Sequence, residues 1–289
     1  MRGMRIVQIS DLHFTHFCLN PSLFRLKRWV GMLNWFLFRR NDFFHHPLQQ
    51  LPDLWRDLQA DLVLVGGDLT TTALPGEFQE AKEFFQQCAI PQIFIPGNHD
   101  HYTKDAVQKQ LFYRNFPNPK ALGTYTLAEH GVEAHQIAPS WWCVALDTAP
   151  ATSLLSSRGE FSPEVEKNLE ALLRLIPKSD RIVMLNHFPF FQNDFPQHRL
   201  YRGDRLRNIL ECNSNIVLYL HGHTHRHTIA DLQVNSLPIV VDSGCSVQRN
   251  RSTWNLLDLS EEKCTIQVYS WQQDSWKCDK ERAILWERK

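Results

Sequence analysis

The chain alternates short apolar runs with stretches of helical periodicity, and this alternation restricts its fold more than any other feature. Runs rich in Val, Ile and Leu at 5–10, 61–67 and 90–97 predict buried strands. A segment with helical spacing, 75–87, separates the last two runs. This strand–helix–strand order predicts right-handed parallel pairing within an α/β sheet.

A second set of apolar runs follows the first and predicts a second sheet. Its members lie at 181–187, 215–222 and 237–244. Ser162 is a favoured helix cap and Pro163 a favoured first helical residue, so we predict a helix over 161–176. Runs at 253–260 and 264–271 predict antiparallel strands. Because no repeat or linker interrupts the sequence, we predict one α/β domain with two sheets and helices outside, spanning all 289 residues.

Composition and charge exclude several classes of protein. Basic and acidic side chains balance at 31 each, so we expect any attraction to phosphate to be local, and we expect no nucleic-acid partner. The seven cysteines are odd in number and form no Cys-x-x-Cys pair, which predicts reduced thiols in a cytoplasmic protein. No apolar run reaches the ~20 residues of a membrane-spanning helix, and the N-terminus lacks the apolar core of a signal peptide.

Residue types that bind metals follow the predicted strands, at the point where each strand ends. They occur in five short motifs, DLH, GGDL, GNHD, NH and HGHTH. Because ligands gather at the carboxyl ends of strands in open α/β sheets, we expect these side chains to converge on one edge. The candidate ligands are Asp11, His13, Asp68, Asn98, His187, His223 and His225.

The number and chemistry of these donors indicate two ions rather than one. Four imidazoles and three oxygen donors exceed the four ligands of a tetrahedral Zn²⁺ site. They suit two ions about 3.5–4 Å apart that share a carboxylate. Imidazole and carboxylate donors without thiolate favour Mn²⁺, Fe or Zn²⁺. We expect Asp11 and His13, and likewise His223 and His225, to point the same way along extended backbone.

The five motifs, in this order over residues 11–225, resemble those of the calcineurin-like metallophosphoesterases. The resemblance implies a four-layer αββα sandwich of two mixed sheets flanked by helices, and a hydrolase that cleaves phosphoesters. It implies that Asp68 bridges two ions, that His99 faces the leaving group and that Asp100 orients His99. One ion would be held by Asp11, His13, Asp68 and His225, and the other by Asp68, Asn98, His187 and His223.

Other polar residues near the motifs allow two interpretations. His45 and His46 form either a third metal site or an ordinary loop pair, and we favour the loop pair. We interpret His221 and His227 as structural or solvated, and Asp147 as structural.

The arginine-rich segment 198–207 follows the fourth motif closely. Its Arg202 and Arg205 could clamp a diphosphate through bidentate hydrogen bonds. The alternative is a solvated loop.

The segment between Thr15 and Asn41 is apolar, basic and without acidic residues. It follows the first metal motif, so we predict that 15–50 forms a helical cap insertion over the site. Apolar residues recur at three- and four-residue steps, and further aromatic residues widen the stripe beyond one helix face. Basic ends and aromatic content favour a helix at 21–40 lying on an anionic membrane surface, with an ordinary cap helix as the alternative. The candidate substrate or membrane contacts are Arg28, Trp29, Met32, Leu33 and Phe36.

The position and character of this insertion resemble those of the UDP-2,3-diacylglucosamine pyrophosphatases of lipid A biosynthesis, of the LpxG type. That resemblance implies a manganese-dependent enzyme, peripheral on the inner face of the cell membrane, that releases UMP and 2,3-diacylglucosamine 1-phosphate. The first alternative is a soluble cyclic-nucleotide or broad-specificity phosphodiesterase with the same ligands. The second is a non-catalytic scaffold of the same fold.

Overall fold

Two six-stranded mixed sheets pack face to face, with helices on their outer faces, in a computed structural model of the chain. The structure describes residues 3–16, 28–29, 42–151, 156–192 and 195–287. The strands are β1 (Met4–Ile9), β2 (Leu62–Val65), β3 (Gln92–Phe94), β4 (Val132–Ala138), β5 (Trp141–Leu146), β6 (Gly159–Glu160), β7 (Arg181–Leu185), β8 (Leu200–Tyr201), β9 (Ile216–His221), β10 (Thr228–Asp231), β11 (Ile239–Asp242), β12 (Thr253–Leu259), β13 (Lys263–Gln272) and β14 (Ser275–Leu285). The helices are α1 (Leu51–Asp57), α2 (Pro75–Gln86), α3 (Lys104–Gln108), α4 (Leu111–Asn115), α5 (Leu127–His130), α6 (Pro163–Leu173) and α7 (Gly203–Cys212), with short 3₁₀ turns at His46–Gln50, Pro196–His198 and Gln233–Asn235.

The first sheet is built around β1 and has the order β14-β13-β12-β1-β2-β3. Strand β1 pairs in parallel with β2 and antiparallel with β12, so that Ile6 lies beside both Leu62 and Leu257. The C-terminal strands β12, β13 and β14 pair antiparallel, as the sequence predicts. They complete a sheet that begins near the N-terminus, which places β1 and the loop after it in the middle of the fold.

The second sheet has the order β10-β11-β9-β7-β5-β4. Its four central strands run parallel, and the edge strands β10 and β4 pair antiparallel. Strands β6 and β8 form a separate parallel pair. The carboxyl ends of β7 and β9 are therefore neighbours, because these two strands pair directly.

Three apolar cores separate the four layers. Between the sheets, Ile6 of the first packs in one cluster with Val183 of the second. On the outer face of the first sheet lies Trp55 of α1, and on the outer face of the second lie Leu169 of α6 and Leu206 of α7. Each of these side chains is fully buried, and burial of a large aliphatic side chain contributes about 1.5–3 kcal/mol. The predicted αββα architecture is confirmed.

Local sequence signals account for most elements but not all. The predicted strands and the helices predicted at 75–87 and 161–176 are present, and Ser162 Oγ caps α6 by accepting a hydrogen bond from Val165 N (3.2 Å). Among the strands that were not predicted, β4, β10 and β14 are edge strands that carry many polar residues, whereas β5 is an apolar strand inside the second sheet.

The predicted helical cap at 15–50 falls mostly outside the described residues. Among the residues that the structure does describe, no helix has the length and hydropathy needed to cross a membrane.

Candidate metal centre

Five loops that follow strands meet at one edge of the sheets and bring the candidate ligands together. The loops after β1, β2 and β3 come from the first sheet, and those after β7 and β9 from the second. Backbone hydrogen bonds join the loops within each sheet, and a bond from His223 N to the side-chain Oδ2 of Asp11 (3.0 Å) joins the two sheets. Asp11 N donates to Gly67 O (3.0 Å), His13 N to Asp68 O (3.0 Å) and Gly222 N to His187 O (3.1 Å).

A first group of donor atoms comes from Asp11, His13 and His225, all within 4.8 Å of one another. Asp11 Oδ1 lies 3.1 Å from His225 Nε2 and 3.8 Å from His13 Nε2. The two imidazole Nε2 atoms are 3.1 Å apart. Asp11 and His13 are buried, so the polar atoms of this group face one another rather than solvent.

A second group comes from Asp68, His187 and His223, again within 4.8 Å. His187 Nε2 lies 3.3 Å from Asp68 Oδ2. Asp68 also forms a group with His13 and His99, and His13 belongs to the first group. Asp68 is therefore the carboxylate placed between the two groups, where a shared ligand would lie.

Five of the candidate ligands have left-handed backbone, which non-glycine residues rarely adopt and which costs about 1–3 kcal/mol each. The prediction of extended backbone at the Asp11/His13 pair and at the His223/His225 pair is therefore wrong. The side chains converge through left-handed turns instead, and cross-loop hydrogen bonds from Asp11 N, His13 N and His223 N hold the turns at these residues. The φ angles are 59° at Asp11, 44° at His13, 53° at Asp68, 71° at His223 and 54° at His225.

Backbone carbonyls select which nitrogen faces the site at two of the candidate histidines, His187 and His223. His187 Nδ1 donates to Gly66 O (2.7 Å), so its Nε2 points to Asp68. His223 Nε2 donates to His198 O (2.9 Å), which leaves Nδ1 as the acceptor nitrogen. Such outer hydrogen bonds fix the tautomer and ring orientation of metal-binding histidines.

Two glycines of the motifs leave room for the carboxylates. A Cβ on Gly97 would overlap the carboxylate and backbone nitrogen of Asp68. A Cβ on Gly222 would overlap the carboxylate of Asp11 and the hydroxyl of Ser10. Both positions require a residue without a side chain because another loop approaches the backbone closely.

The charges of the site favour a cation. Burial opposes the ionisation of Asp11, but His225 and His187 outweigh it and lower the pKa of Asp11 to about 2. Burial is likewise outweighed at Asp68, whose pKa His187 helps to hold well below its usual value. Burial lowers the pKa of His223 to about 3, which keeps the imidazole in the neutral form that binds metals. At His187, Asp68 outweighs burial and raises the pKa to about 9, so positive charge is favoured at this nitrogen.

The donors fit a pair of divalent cations. Of the buried polar atoms in the described residues that lack a hydrogen bond of acceptable geometry, three belong to candidate ligands: Asp11 Oδ1, Asn98 Oδ1 and His187 Nε2. An unpaired buried polar atom costs about 1–3 kcal/mol, and a bound cation would supply the missing partner of all three. The donors are oxygen and imidazole nitrogen, which suit Mn²⁺, Fe or Zn²⁺.

The motifs that build this site are shared with a known family. The model of a family described as calcineurin-like phosphoesterase matches residues 4–227, which include every candidate ligand and most of the chain. The chain belongs to the calcineurin-like phosphoesterase family.

Two curated relatives match part of this phosphoesterase. It is 26% identical over 168 residues to a 3',5'-cyclic adenosine monophosphate phosphodiesterase, CpdA, of Haemophilus influenzae, covering 57% of this chain and 55% of the relative. It is 22% identical over 174 residues to a probable cyclic nucleotide phosphodiesterase of Psychrobacter arcticus, covering 60% of each. The chain thus spans little more than half the length of these curated relatives.

Two solved structures share the calcineurin-like fold. A dimetal phosphatase from Danio rerio gives a TM-score of 0.70 at 12% identity, covering 99% of this chain and 100% of the other. The purple acid phosphatase PPD1 from yellow lupin seeds gives 0.62 at 12% identity, covering 98% of this chain and 53% of the other. Their likeness extends over both sheets and supports the fold alone.

Asp100 has a different role from the one predicted. Its carboxylate accepts hydrogen bonds from Gly97 N (3.0 Å), Leu69 N (3.2 Å) and Thr70 N (2.9 Å). The bond that orients His99 instead comes from its Nδ1 to the carbonyl of Thr71 (2.6 Å). Asp100 therefore ties the loop after β2 to the loop after β3 and acts on the backbone rather than on the histidine ring.

Arg202 and Arg205, predicted to clamp a diphosphate, are engaged with Glu166 of α6. Arg202 bonds to one carboxylate oxygen, and Arg205 Nη2 lies 2.6 Å from the other. Arg202 Nε also donates to the carbonyl of Phe161 (3.0 Å). These hydrogen bonds, that of Arg205 first, lower the pKa of Glu166. The pair is a structural link between α6 and α7, because Glu166 already supplies the anion that a phosphate would provide.

Arg28, predicted to contact substrate or membrane, is instead buried at 2% exposure. Its guanidinium donates to the carbonyls of Thr72 (3.1 Å) and Ala73 (3.0 Å), so the protein body satisfies it. Trp29 beside it is 51% exposed. The remaining predicted contacts, Met32, Leu33 and Phe36, lie outside the described residues.

The polar residues set aside in the sequence are structural. His45 donates to a backbone carbonyl (2.9 Å) and His46 contacts a tryptophan edge-on, as expected of a loop pair. His221 is buried beside the carbonyl of the next residue (3.0 Å), and His227 bonds to an asparagine side chain (2.8 Å). Asp147 accepts hydrogen bonds from a tyrosine hydroxyl and a backbone amide.

Three residues that support the site are not among the candidate site residues identified from the sequence. Ser10 Oγ donates to Asp11 Oδ2 (2.6 Å), and Asn186 Oδ1 accepts from His187 N (3.0 Å). Thr71 holds His99 through its carbonyl and donates its hydroxyl to His13 O (3.0 Å). Ser10 and Asn186 each stand next to a ligand in the sequence, which is a usable signal, whereas a backbone carbonyl leaves no trace in residue type.

Proposed function

We propose that this chain is a two-metal phosphohydrolase that cleaves a phosphodiester or diphosphate bond. The observation that carries the proposal is the pair of donor groups that meet at Asp68. Two bound cations lower the pKa of a water molecule and neutralise charge on the phosphoryl oxygens. Membership of the calcineurin-like phosphoesterase family supports this class of reaction.

His99 is the residue best placed to assist the leaving group. Its ring centroid lies 4.9 Å from that of His13 and 5.6 Å from that of Tyr102, on which it stacks. Thr71 accepts from Nδ1, so Nε2 is the ring nitrogen that can face the leaving group, and in the imidazolium form of His99 it can pass its proton to the departing oxygen. Stacking and the hydrogen bond together fix the ring plane before substrate arrives.

The test uses bis(p-nitrophenyl) phosphate and the full chain loaded with Mn²⁺. We expect nitrophenolate release that stops on chelation and is lost in Asp68→Ala, with Asp57→Ala, whose side chain is 73% exposed, as the matched control. Hydrolysis that persists in Asp68→Ala, or a wild-type chain that binds two ions and hydrolyses no phosphodiester, would contradict the proposal.

For the substrate, we propose a nucleotide-linked diacyl lipid such as UDP-2,3-diacylglucosamine, cleaved to UMP and 2,3-diacylglucosamine 1-phosphate with Mn²⁺ as the metal. The apolar, basic composition of 21–40 supports binding at the inner face of an anionic membrane. Two exposed aromatic side chains add support: Trp29 at 51% and Phe195 at 65%. Phe195 lies 6.3 Å, between ring centroids, from His198, whose carbonyl holds His223. Apolar surface beside the site suits acyl chains, since burying hydrocarbon gains about 0.8 kcal/mol per CH₂.

A second candidate substrate is a cyclic nucleotide. The names of the two curated relatives, which are phosphodiesterases of cyclic nucleotides, favour it. Both candidates require the same metal donors, so the site itself does not distinguish them.

One experiment separates the two candidates. The Mn²⁺-loaded protein is incubated with UDP-2,3-diacylglucosamine in mixed micelles and, in parallel, with 3',5'-cyclic AMP, and UMP and AMP are measured. Flotation with anionic vesicles is measured on the same preparation, with Trp29→Ser as the variant. The lipid proposal predicts UMP release and flotation that Trp29→Ser weakens. AMP release without UMP and without flotation would select the cyclic nucleotide and overturn the lipid proposal.

A further inference from the structure

Arg28 is a buried arginine whose partners surround its whole guanidinium group. Nε and Nη2 donate to two consecutive carbonyls, Thr72 O (3.1 Å) and Ala73 O (3.0 Å). Nη2 also donates to Thr103 Oγ1 (3.0 Å), and Nη1 lies 3.2 Å from Asp105 Oδ2. A planar fork of donors satisfies consecutive carbonyls in a way that the single ammonium of lysine does not.

The backbone that Arg28 binds is continuous with the residue that orients His99. Thr71, directly before Thr72, accepts the hydrogen bond of His99 Nδ1 (2.6 Å). Arg28 also contacts Thr103 and Asp105, which directly follow the loop that carries His99. Arg28 thus bridges the two segments between which the His99 ring is held.

The rest of this loop is fixed from the opposite side. Glu77 accepts hydrogen bonds from Thr72 N (2.8 Å) and Leu74 N (3.0 Å), and Thr71 Oγ1 donates to His13 O (3.0 Å). The amides of Thr72 and Leu74 are therefore held by Glu77 of α2, and the carbonyls of Thr72 and Ala73 by Arg28. Removing Arg28 would take away a hydrogen-bond partner of two buried carbonyls and one carboxylate. The loop at 71–73 would then have to move for its carbonyls to reach other donors.

We propose that Arg28 is a positioning residue for the reaction: it holds the 71–73 backbone so that the Thr71 carbonyl keeps the His99 ring in line with the leaving group. This inference rests on the proposed phosphohydrolase function. Arg28 touches no substrate in this role and acts through His99. It also gives the segment that follows the first metal motif a direct influence on turnover, in addition to any contact with a membrane.

The test is a double-mutant cycle in the Mn²⁺-loaded full chain, with Arg28→Met, Arg28→Lys, His99→Asn and the two double variants. Arg56→Met is the control, because Arg56 is 69% exposed and pairs only with its own helix among the described contacts. The substrates are methyl aryl phosphodiesters whose phenols differ in acidity. A misplaced proton donor slows hydrolysis most when the leaving group is poor. We therefore expect Arg28→Met to reduce the rate of hydrolysis about ten- to a hundredfold for the diester of the least acidic phenol and by less than about threefold for that of the most acidic.

In the His99→Asn background the loss from Arg28→Met should shrink to under twofold, because residues that act through one another are not additive. The proposal would be overturned if Arg28→Met reduced the rate of hydrolysis equally for every leaving group, or by the same factor with and without His99. If Arg28→Met fails to fold, the test uses Arg28→Lys and Thr103→Val, the second of which removes one hydrogen bond to Arg28. Both variants should show the same dependence of rate on the leaving group, with a smaller loss of rate. If neither variant shows this dependence, the proposal is overturned.

A readout without turnover separates this inference from the proposed function. The NMR signal of the His99 Nδ1 proton in the Zn²⁺-loaded protein reports its hydrogen bond to Thr71. We expect Arg28→Lys to shift or broaden this signal and Arg56→Met to leave it unchanged, even if the wild type hydrolyses none of the diesters. An unchanged His99 signal in Arg28→Lys would overturn the positioning role.

Discussion

Gly97→Ala should damage the metal site far more than it damages the fold. The new Cβ would lie 2.1 Å from Asp68 Oδ1, 2.5 Å from Asp68 N and 2.7 Å from Asp68 Cγ, whereas ordinary contacts are about 3.5 Å, so the carboxylate and its backbone must retreat by about 1 Å. Little room exists for that movement, because Asp68 is buried, its φ is already 53°, and its carboxylate accepts from His99 N (2.8 Å).

A shift of this size is large for coordination chemistry. Metal–ligand distances tolerate about ±0.2 Å, and a misplacement of about 1 Å can reduce turnover by about 10²-fold. Overpacking itself costs about 1–3 kcal/mol of stability. For Gly97→Ala we therefore expect at least tenfold weaker Mn²⁺ binding by isothermal titration and about 100-fold slower turnover of the nitrophenyl diester. Urea unfolding should show a loss of only a few kcal/mol.

Gly123→Ala is the matched control for backbone strain. Gly123 has φ +67°, so alanine is strained there by about 1–2 kcal/mol, but the nearest atom to its Cβ would be Leu175 Cδ1 at 3.7 Å. We expect it to lose stability and keep both metals and turnover. The reasoning is refuted if Gly97→Ala binds Mn²⁺ and turns over as the wild type does while it loses as much stability as the control.

The other predictions concern His99, pH and metal removal. His99→Asn should keep both ions by elemental analysis and slow turnover by about 10²–10³, and lost metal would contradict its placement outside the ligand set. Burial raises the pKa of Glu77 from 4.5 to about 7, so the native state binds this proton more tightly than the unfolded state does. The free energy of unfolding should therefore fall by up to ~3 kcal/mol as pH rises from 4.5 to 7. Urea unfolding of Glu77→Gln should not show this dependence on pH. Mn²⁺ at about 100 times its Kd should raise the free energy of unfolding by about 2.7 kcal/mol over chelated protein, and an equal gain in Asp68→Ala would show that the ions bind elsewhere.

The sequence predicts most of the fold because most buried strands carry their own signal, although β5, which is buried throughout, is not among the predicted strands. Within the run 181–187, residues 182–185 are all apolar, since strands in the middle of a parallel sheet are covered on both faces. An edge strand such as β14 carries no such apolar signal, because most of its residues are exposed and polar. Its place in the sheet depends on pairing with the neighbouring strand β13. The helical cap at 15–50 and its membrane role stay predictions.

At the site, residue types are predictable and backbone geometry is not. The candidate ligands follow from donor chemistry and strand ends, but extended backbone at Asp11 and His13 was the wrong expectation, because contacts from other loops impose left-handed turns. Arg28 illustrates the same limit. A basic residue in an apolar segment suggests a membrane contact, whereas its burial against Thr72 and Ala73 depends on a loop far away in sequence.

The most direct test of the central claim is anomalous diffraction at the Mn absorption edge from crystals grown with Mn²⁺. We expect two peaks about 3.5–4 Å apart, one beside Asp11, His13 and His225 and the other beside Asn98, His187 and His223, with Asp68 contacting both. A single peak, or ions bound away from Asp68, would contradict the account.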